Sequence, residues 1–208
     1  MSPDDASTIT DQQSTNERPR RGRPPVPRET VLAAAEQLLA GTSSPAAVSM
    51  DEIAAAAGVG KGTLFRAFGS RDGLLDAVFA TRLDPLRQEL NRRGSPVGPD
   101  VPAADRLVGV LLLLLDFKLD NPRLTTAREV DGTALLQAPH YRWVHALLRD
   151  LVAKTGRTAD SADVAAHLLL GALRVEVITE LQAAGMTREQ LGRHLEDVVH
   201  RLVGPDEH

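Results

Sequence analysis

Residues 49–75 read SMDEIAAAAGVGKGTLFRAFGSRDGLL, two short helical segments parted by glycines and followed by a third helix start. Ser49 followed by Glu52 has the spacing of a capping box, in which a serine hydroxyl and a glutamate carboxylate each satisfy a backbone N–H at a helix start. Ile53, Ala54 and Ala57 give that helix a small apolar face, and Gly58 supplies the left-handed backbone that ends it. After the Gly58-Val59-Gly60 turn, Lys61 to Phe68 makes about two turns of helix. Its three- and four-residue spacing assigns Leu64, Phe65 and Phe68 to the core and leaves Lys61, Gly62, Thr63 and Arg66 on the other side. Gly69-Ser70 stops this short helix, and Ser70 can cap a further one running through Leu74, Leu75, Val78, Phe79 and Leu83. Two short helices joined by a glycine turn form a helix-turn-helix, the arrangement that lays its second helix in the major groove of DNA.

On these residues the chain resembles the TetR family of bacterial transcriptional regulators. The matching positions are Ser49, Ile53-Ala54, Ala57-Gly58-Val59-Gly60, Gly62-Thr63-Leu64-Phe65, Phe68 and Ser70-Arg71. The resemblance implies that Lys61, Gly62, Thr63 and Phe65 sit on the recognition helix, while Ser49, Thr63 and Arg71 lie near phosphates; Gly60 and Arg66 complete the expected DNA-binding set. Three positions depart from the family pattern. Phe65 stands in place of the usual phosphate-contacting tyrosine, Ala67 in place of a common histidine, and Gly60 in place of a serine cap.

Ahead of the motif, residues 18–28 read RPRRGRPPVPR, which is cationic and too rich in proline for helix or sheet. An extended arm is expected, with Arg20, Arg21 and Arg23 reaching a minor groove or phosphates. The charge distribution agrees. Residues 1–17 carry four acidic residues and no Lys or Arg, residues 18–93 carry twelve Lys/Arg against eight Asp/Glu, and residues 94–208 carry twelve against sixteen. The overall −4 therefore hides a positive N-terminal segment suited to local phosphate neutralisation.

With 208 residues, 42% apolar composition and 3% aromatics, the chain reads as an alanine- and leucine-rich all-α protein of one or two domains. The expected divisions are residues 1–24 (acidic tail and basic arm), 25–90 (DNA-binding domain of three helices, helix-turn-helix at about 49–68) and 101–204 (C-terminal effector-binding and dimerisation domain). The absence of cysteine excludes disulfides and thiolate chemistry. No signal-like segment opens the chain, and the longest apolar run, Leu107 to Leu115, is nine residues against the roughly 20 needed to span a bilayer. A cytoplasmic location with no membrane partner is the expectation.

Helix 1 is read from Val31, Leu32, Ala35, Leu38 and Leu39, closed by Gly41. The glycine- and proline-rich NRRGSPVGPDVP at 91–102 ends helix 4 and separates the two domains. Beyond it, helices are expected at about 103–119, 123–130, 140–154, 162–184 and 188–202. The first is apolar nearly all round, as a central helix must be.

In the family such a domain holds a small effector between its helices and pairs its last two helices with a second subunit. Val164, Leu168, Gly171, Ala172, Val175 and Ile178 form one candidate homodimer stripe. Leu191, Leu195, Val198 and Leu202 form the other, behind a Thr187/Gln190 capping box. Effector candidates are Phe117, Glu129, Tyr141, Trp143, Val144, Leu147, Arg174 and Glu176, which combine flat apolar area with polar groups. The histidines argue against an enzyme: His140 and His145 are five apart, His194 and His200 are off register, and no phosphate loop or nucleophile elbow appears. No cofactor, metal site or catalytic residue is expected. The reading is a homodimer on a pseudopalindromic double-stranded DNA operator, a repressor by resemblance, released by an unknown small-molecule effector; the alternative is an effector-independent DNA-binding dimer.

Overall fold

A computed structural model of the chain describes residues 27–130 and 135–203. The expected arm, with Arg20, Arg21 and Arg23, lies outside the described residues. Ten α-helices follow in order: α1 (Arg28–Gly41), α2 (Met50–Ala56), α3 (Lys61–Phe68), α4 (Arg71–Asn91), α5 (Ala103–Asp120), α6 (Pro122–Glu129), α7 (Pro139–Ala153), α8 (Ala159–Ala172), α9 (Val175–Ala183) and α10 (Arg188–Val203). Short 3₁₀ turns at Pro45–Ala47 and Leu135–Gln137 complete the architecture, with no strand among the described residues.

Local chemistry sets the first four helices. The Ser49/Glu52 capping box is complete, with Ser49 N–H donating to the Glu52 carboxylate at 2.8 Å and Glu52 N–H to the Ser49 hydroxyl at 3.3 Å. Gly58 turns the chain at φ 66°, and the Ser70 hydroxyl accepts from Gly73 N–H at 3.0 Å to start α4. One core cluster gathers Val31, Ile53, Leu64, Phe68, Leu74 and Phe79 from α1 to α4, and α6 adds Leu124 and Ala127 to it. A second unites α5, α7, α8, α9 and α10, with Leu107, Leu111, Leu148 and Val199 fully enclosed. The segment 91–102 is packed against that second core: Val97 is buried, and the Arg106 guanidinium donates to the carbonyls of Val97 and Leu90, both at 2.9 Å.

Two expectations need correction. The single helix at 162–184 is two, α8 and α9, broken at Leu173-Arg174. The cause is a tertiary contact: the Glu129 carboxylate of α6 accepts from Val175 N–H at 2.9 Å, capping a new helix start where the sequence pattern runs on. The candidate dimer stripes are also divided. Val164 (58% exposed), Leu168 (65%) and Val198 (50%) face outward. Ala172 is exposed, with Gly171 and Leu202 half-buried. Val175, Ile178, Leu191 and Leu195 are instead buried in the chain's own core, because the break and the packing of α10 on α5 turn them inward.

Candidate functional site

Helix α3 is held by its buried side, where Leu64 and Phe68 enter the N-terminal core. Lys61, Gly62, Thr63, Phe65 and Arg66 are exposed together, as is the Gly60 turn. Phe65 is 39% exposed, which corrects its assignment to the core; at one residue past Leu64 it points about 100° away from the buried line. Nothing lies within 4 Å of where a Cβ on Gly62 would sit, so internal packing does not require glycine there. A glycine inside a helix costs roughly 0.5–1 kcal/mol relative to alanine, and close backbone approach by a partner is what it permits. Lys61 pairs with Asp51 at 2.8 Å, both side chains being 62% exposed, a contact weak enough to exchange for another anion.

Two expected phosphate contacts are otherwise engaged. The Ser49 hydroxyl is committed to the cap, also donating to the Glu52 carboxylate at 2.7 Å; this bond and the one from Ser49 N–H hold the Glu52 pKa below its ordinary value. Arg71 is half-buried and its guanidinium donates to three carbonyls, those of Val48 (2.7 Å), Ala127 (3.0 Å) and Pro45 (3.0 Å). It ties the helix-turn-helix to α6, leaving no free fork for a phosphate.

Between the two cores lies a cavity of about 50 Å³. Of the expected effector residues, Phe117, Glu129, Tyr141, Val144 and Arg174 line it. Trp143, Leu147 and Glu176 do not. Trp143 stacks beneath the Arg87 guanidinium at 4.7 Å, Leu147 packs against the C-terminal core, and exposed Glu176 accepts both arms of Arg174 at 2.7 and 3.1 Å. Sequence reading missed Phe79, Lys118 and His140, which also line it. Lys118 sits next to the core face of α5 in an apolar run, and no local signal turns it inward; its partner is on another helix.

The polar wall is an ordered network. Lys118 donates to Glu129 at 2.5 Å, and Arg174 to the Glu129 carbonyl at 3.1 Å. Burial holds the Lys118 pKa below its ordinary value, with Glu129 only partly opposing that. Beside Glu129, Arg128 donates to Asp76 of α4 at 2.6 Å, and the His140 ring, stacked on Phe79, brings Nδ1 within 3.3 Å of the same carboxylate. Burial works to raise the Asp76 pKa, but the His140 and Arg128 contacts outweigh it and hold it low. Helix α6 thus touches the cavity through Glu129 and the helix-turn-helix domain through Arg128 and the Ala127 carbonyl.

The sequence profile described as bacterial regulatory proteins, tetR family, matches residues 31–78, which span α1 to the middle of α4. Over these residues the chain is similar to the TetR family. An uncharacterized HTH-type transcriptional regulator of Mycobacterium tuberculosis is 35% identical over 108 residues, covering 50% of this chain and 52% of that protein. The chain thus spans about half the length of the curated relatives it matches. Among solved structures, a TetR transcriptional regulator from Rhodococcus sp. RHA1 superimposes with a TM-score of 0.62 at 24% identity, over 86% of this chain and 97% of that one. NalD of Pseudomonas aeruginosa, the secondary repressor of the MexAB-OprM multidrug efflux pump, gives 0.57 at 20%, over 84% and 94%. These likenesses are of fold, and they extend through the C-terminal helices.

Proposed function

We propose that this chain is a TetR-type, sequence-specific transcriptional regulator, a cytoplasmic homodimer that represses from a pseudopalindromic operator and is released by a small-molecule effector. The observation that carries DNA binding is α3 itself, packed by Leu64 and Phe68 and presenting Lys61, Gly62, Thr63, Phe65 and Arg66 together. In this reading Arg20, Arg21 and Arg23 add phosphate or minor-groove contacts, while Ser49 and Arg71 brace the reader. Dimerisation is supported by the outward Val164, Leu168 and Val198, with Gly171 and Ala172 small enough for close approach. Two symmetry-related copies of α3 then meet half-sites about one DNA turn apart or somewhat more.

For control, an effector against Phe117, Glu129, Tyr141, Val144 and Arg174 acts through α6, which Arg128 and Arg71 join to α4. Its leverage equals its differential affinity for the two dimer states. One observation favours the second reading, an effector-independent dimer: the cavity of about 50 Å³ is far below the roughly 300–1,000 Å³ of drug-sized sites. Regulation by a drug-sized ligand at this cavity therefore requires it to expand.

Selection of bound duplexes from a random library at near-physiological salt tests DNA reading, with enrichment of a two-fold-symmetric site as the expected result. Folded protein that enriches no sequence would overturn it. On the enriched site, Lys61→Ala is expected to cost about 1–3 kcal/mol and to relax preference at the base it meets. Equal loss on every sequence would make Lys61 a phosphate contact instead.

A further inference from the structure

We propose that Tyr141, His145, Asp163 and His167 form a binding site for a divalent transition-metal ion of the zinc type, clamping α7 to α8. Tyr141 and His145 are four apart on α7, and Asp163 and His167 are four apart on α8. Each pair therefore shares one helix face, and the two faces meet. One ligand atom from each of His145, Asp163 and His167 lies within 4.8 Å of the other two. Two imidazoles and a carboxylate are a common three-residue zinc set, with a fourth position left for water or an added ligand.

The spacing is close to that of a bound ion. His145 Nε2 and Asp163 Oδ1 are 3.6 Å apart, against an edge of about 3.4 Å for a tetrahedral site with bonds near 2.0–2.1 Å. At that distance they are too far for a hydrogen bond, and His145 Nε2 is a buried nitrogen with no hydrogen-bond partner. A buried, unsatisfied imidazole nitrogen aimed at a carboxylate and a second imidazole is accounted for by an ion between them. The supporting contacts are also present. Tyr141 OH lies 2.8 Å from His167 Nδ1 and fixes that ring, as outer partners of metal-bound histidines do. The His145 and His167 rings are 4.0 Å apart between centroids, with Tyr141 stacked on both. Arg149, on the wall of the same groove, is paired with Asp150 at 3.0 Å, so its charge is partly neutralised.

The pairing of helices is invisible along a single helix, where His140 and His145 are out of step. It arises because α7 and α8 form an antiparallel pair. The site borders the exposed Val164 and Leu168 of α8, so an ion here also fixes the helix that carries that face.

The test uses full-length, tag-free, chelator-treated protein titrated with zinc chloride and, separately, cobalt chloride. Expected are one equivalent per chain by calorimetry, the intense visible absorption of four-coordinate cobalt, and a rise in Tm of about 5–10 °C at zinc concentrations near 100 times Kd. His167→Ala, a change at an exposed position, is expected to weaken zinc binding at least 100-fold and to remove both the cobalt spectrum and the Tm rise. Asp163→Asn is expected to weaken binding at least 10-fold, and His194→Ala to leave it unchanged. Absence of stoichiometric binding would overturn the proposal. So would binding that survives His167→Ala and His145→Ala in proteins that melt cooperatively, or binding lost with His194.

Discussion

Gly73→Ala is expected to destabilise the helix-turn-helix domain by roughly 3 kcal/mol. A Cβ built on Gly73 would lie 2.1 Å from the carbonyl oxygen of Phe68 and 3.3 Å from its carbonyl carbon. Both atoms are backbone, so no rotamer relieves the overlap. The start of α4 must instead move away from the end of α3. That movement strains a core in which Leu74 and Leu75 are fully enclosed and Phe68 is buried, a kind of overpacking that costs about 1–3 kcal/mol. It also pulls Gly73 N–H from the Ser70 hydroxyl, now 3.0 Å away, removing a cap worth about 1 kcal/mol. For a chain of this length the sum lowers Tm by about 6–12 °C. Gly62→Ala is the informative contrast. Its Cβ enters open space, so helix propensity alone acts and the protein gains up to about 1 kcal/mol. On an enriched operator the same methyl group is expected to weaken binding, because it stands where the DNA backbone or bases approach. Wild-type melting of Gly73→Ala would mean that the junction of α3 and α4 yields without straining the core.

That contrast marks what the sequence discloses. The Ser49/Glu52 box, the Gly58 turn and the Ser70 cap are local signals made by neighbours in the chain, and each forms the contact its spacing implies. The alternation of buried and exposed residues on α3 is likewise legible, except at Phe65, where the three-residue spacing to Phe68 suggests core and the ring lies outside. What the sequence hides depends on partners far away in the chain. Arg71 looks like a phosphate ligand until Val48, Pro45 and Ala127 supply three carbonyls to its guanidinium. Val164 to Ile178 looks like one amphipathic stripe until Glu129, some 46 residues before Val175, caps the second half separately. Lys118 offers the same lesson at the cavity, since nothing in LLLLLDFKLD distinguishes a lysine that faces a buried glutamate from one that faces water.

That buried pair underlies the second large effect: Glu129→Gln is expected to cost about 3–5 kcal/mol at neutral pH, with a penalty that shrinks as pH rises. Glu129 is 3% exposed, accepting from Lys118 and from Val175 N–H. Glutamine keeps the shape and one acceptor but removes the charge, stranding a buried ammonium, the situation in which breaking an ion pair is most costly. The pH dependence follows from the direction of the Lys118 shift. Burial already holds its pKa below the ordinary 10.5, and Glu129 is the largest influence opposing that fall. Without Glu129 the folded-state pKa drops further while the unfolded value stays put. Between those two values the unfolded chain binds more protons than the folded one, so the stability of the variant rises with pH across that window. Urea midpoints of variant and parent are therefore expected to converge from pH 7 towards pH 10. The double change Lys118→Met with Glu129→Gln removes the stranded cation while glutamine still accepts from Val175 N–H. It is expected to recover most of the lost stability, which would identify the unpaired buried charge, more than the lost attraction, as the source of the cost. A pH-independent penalty, or no recovery in the double variant, would put the Lys118 ammonium in water and leave the cavity wall without its cation.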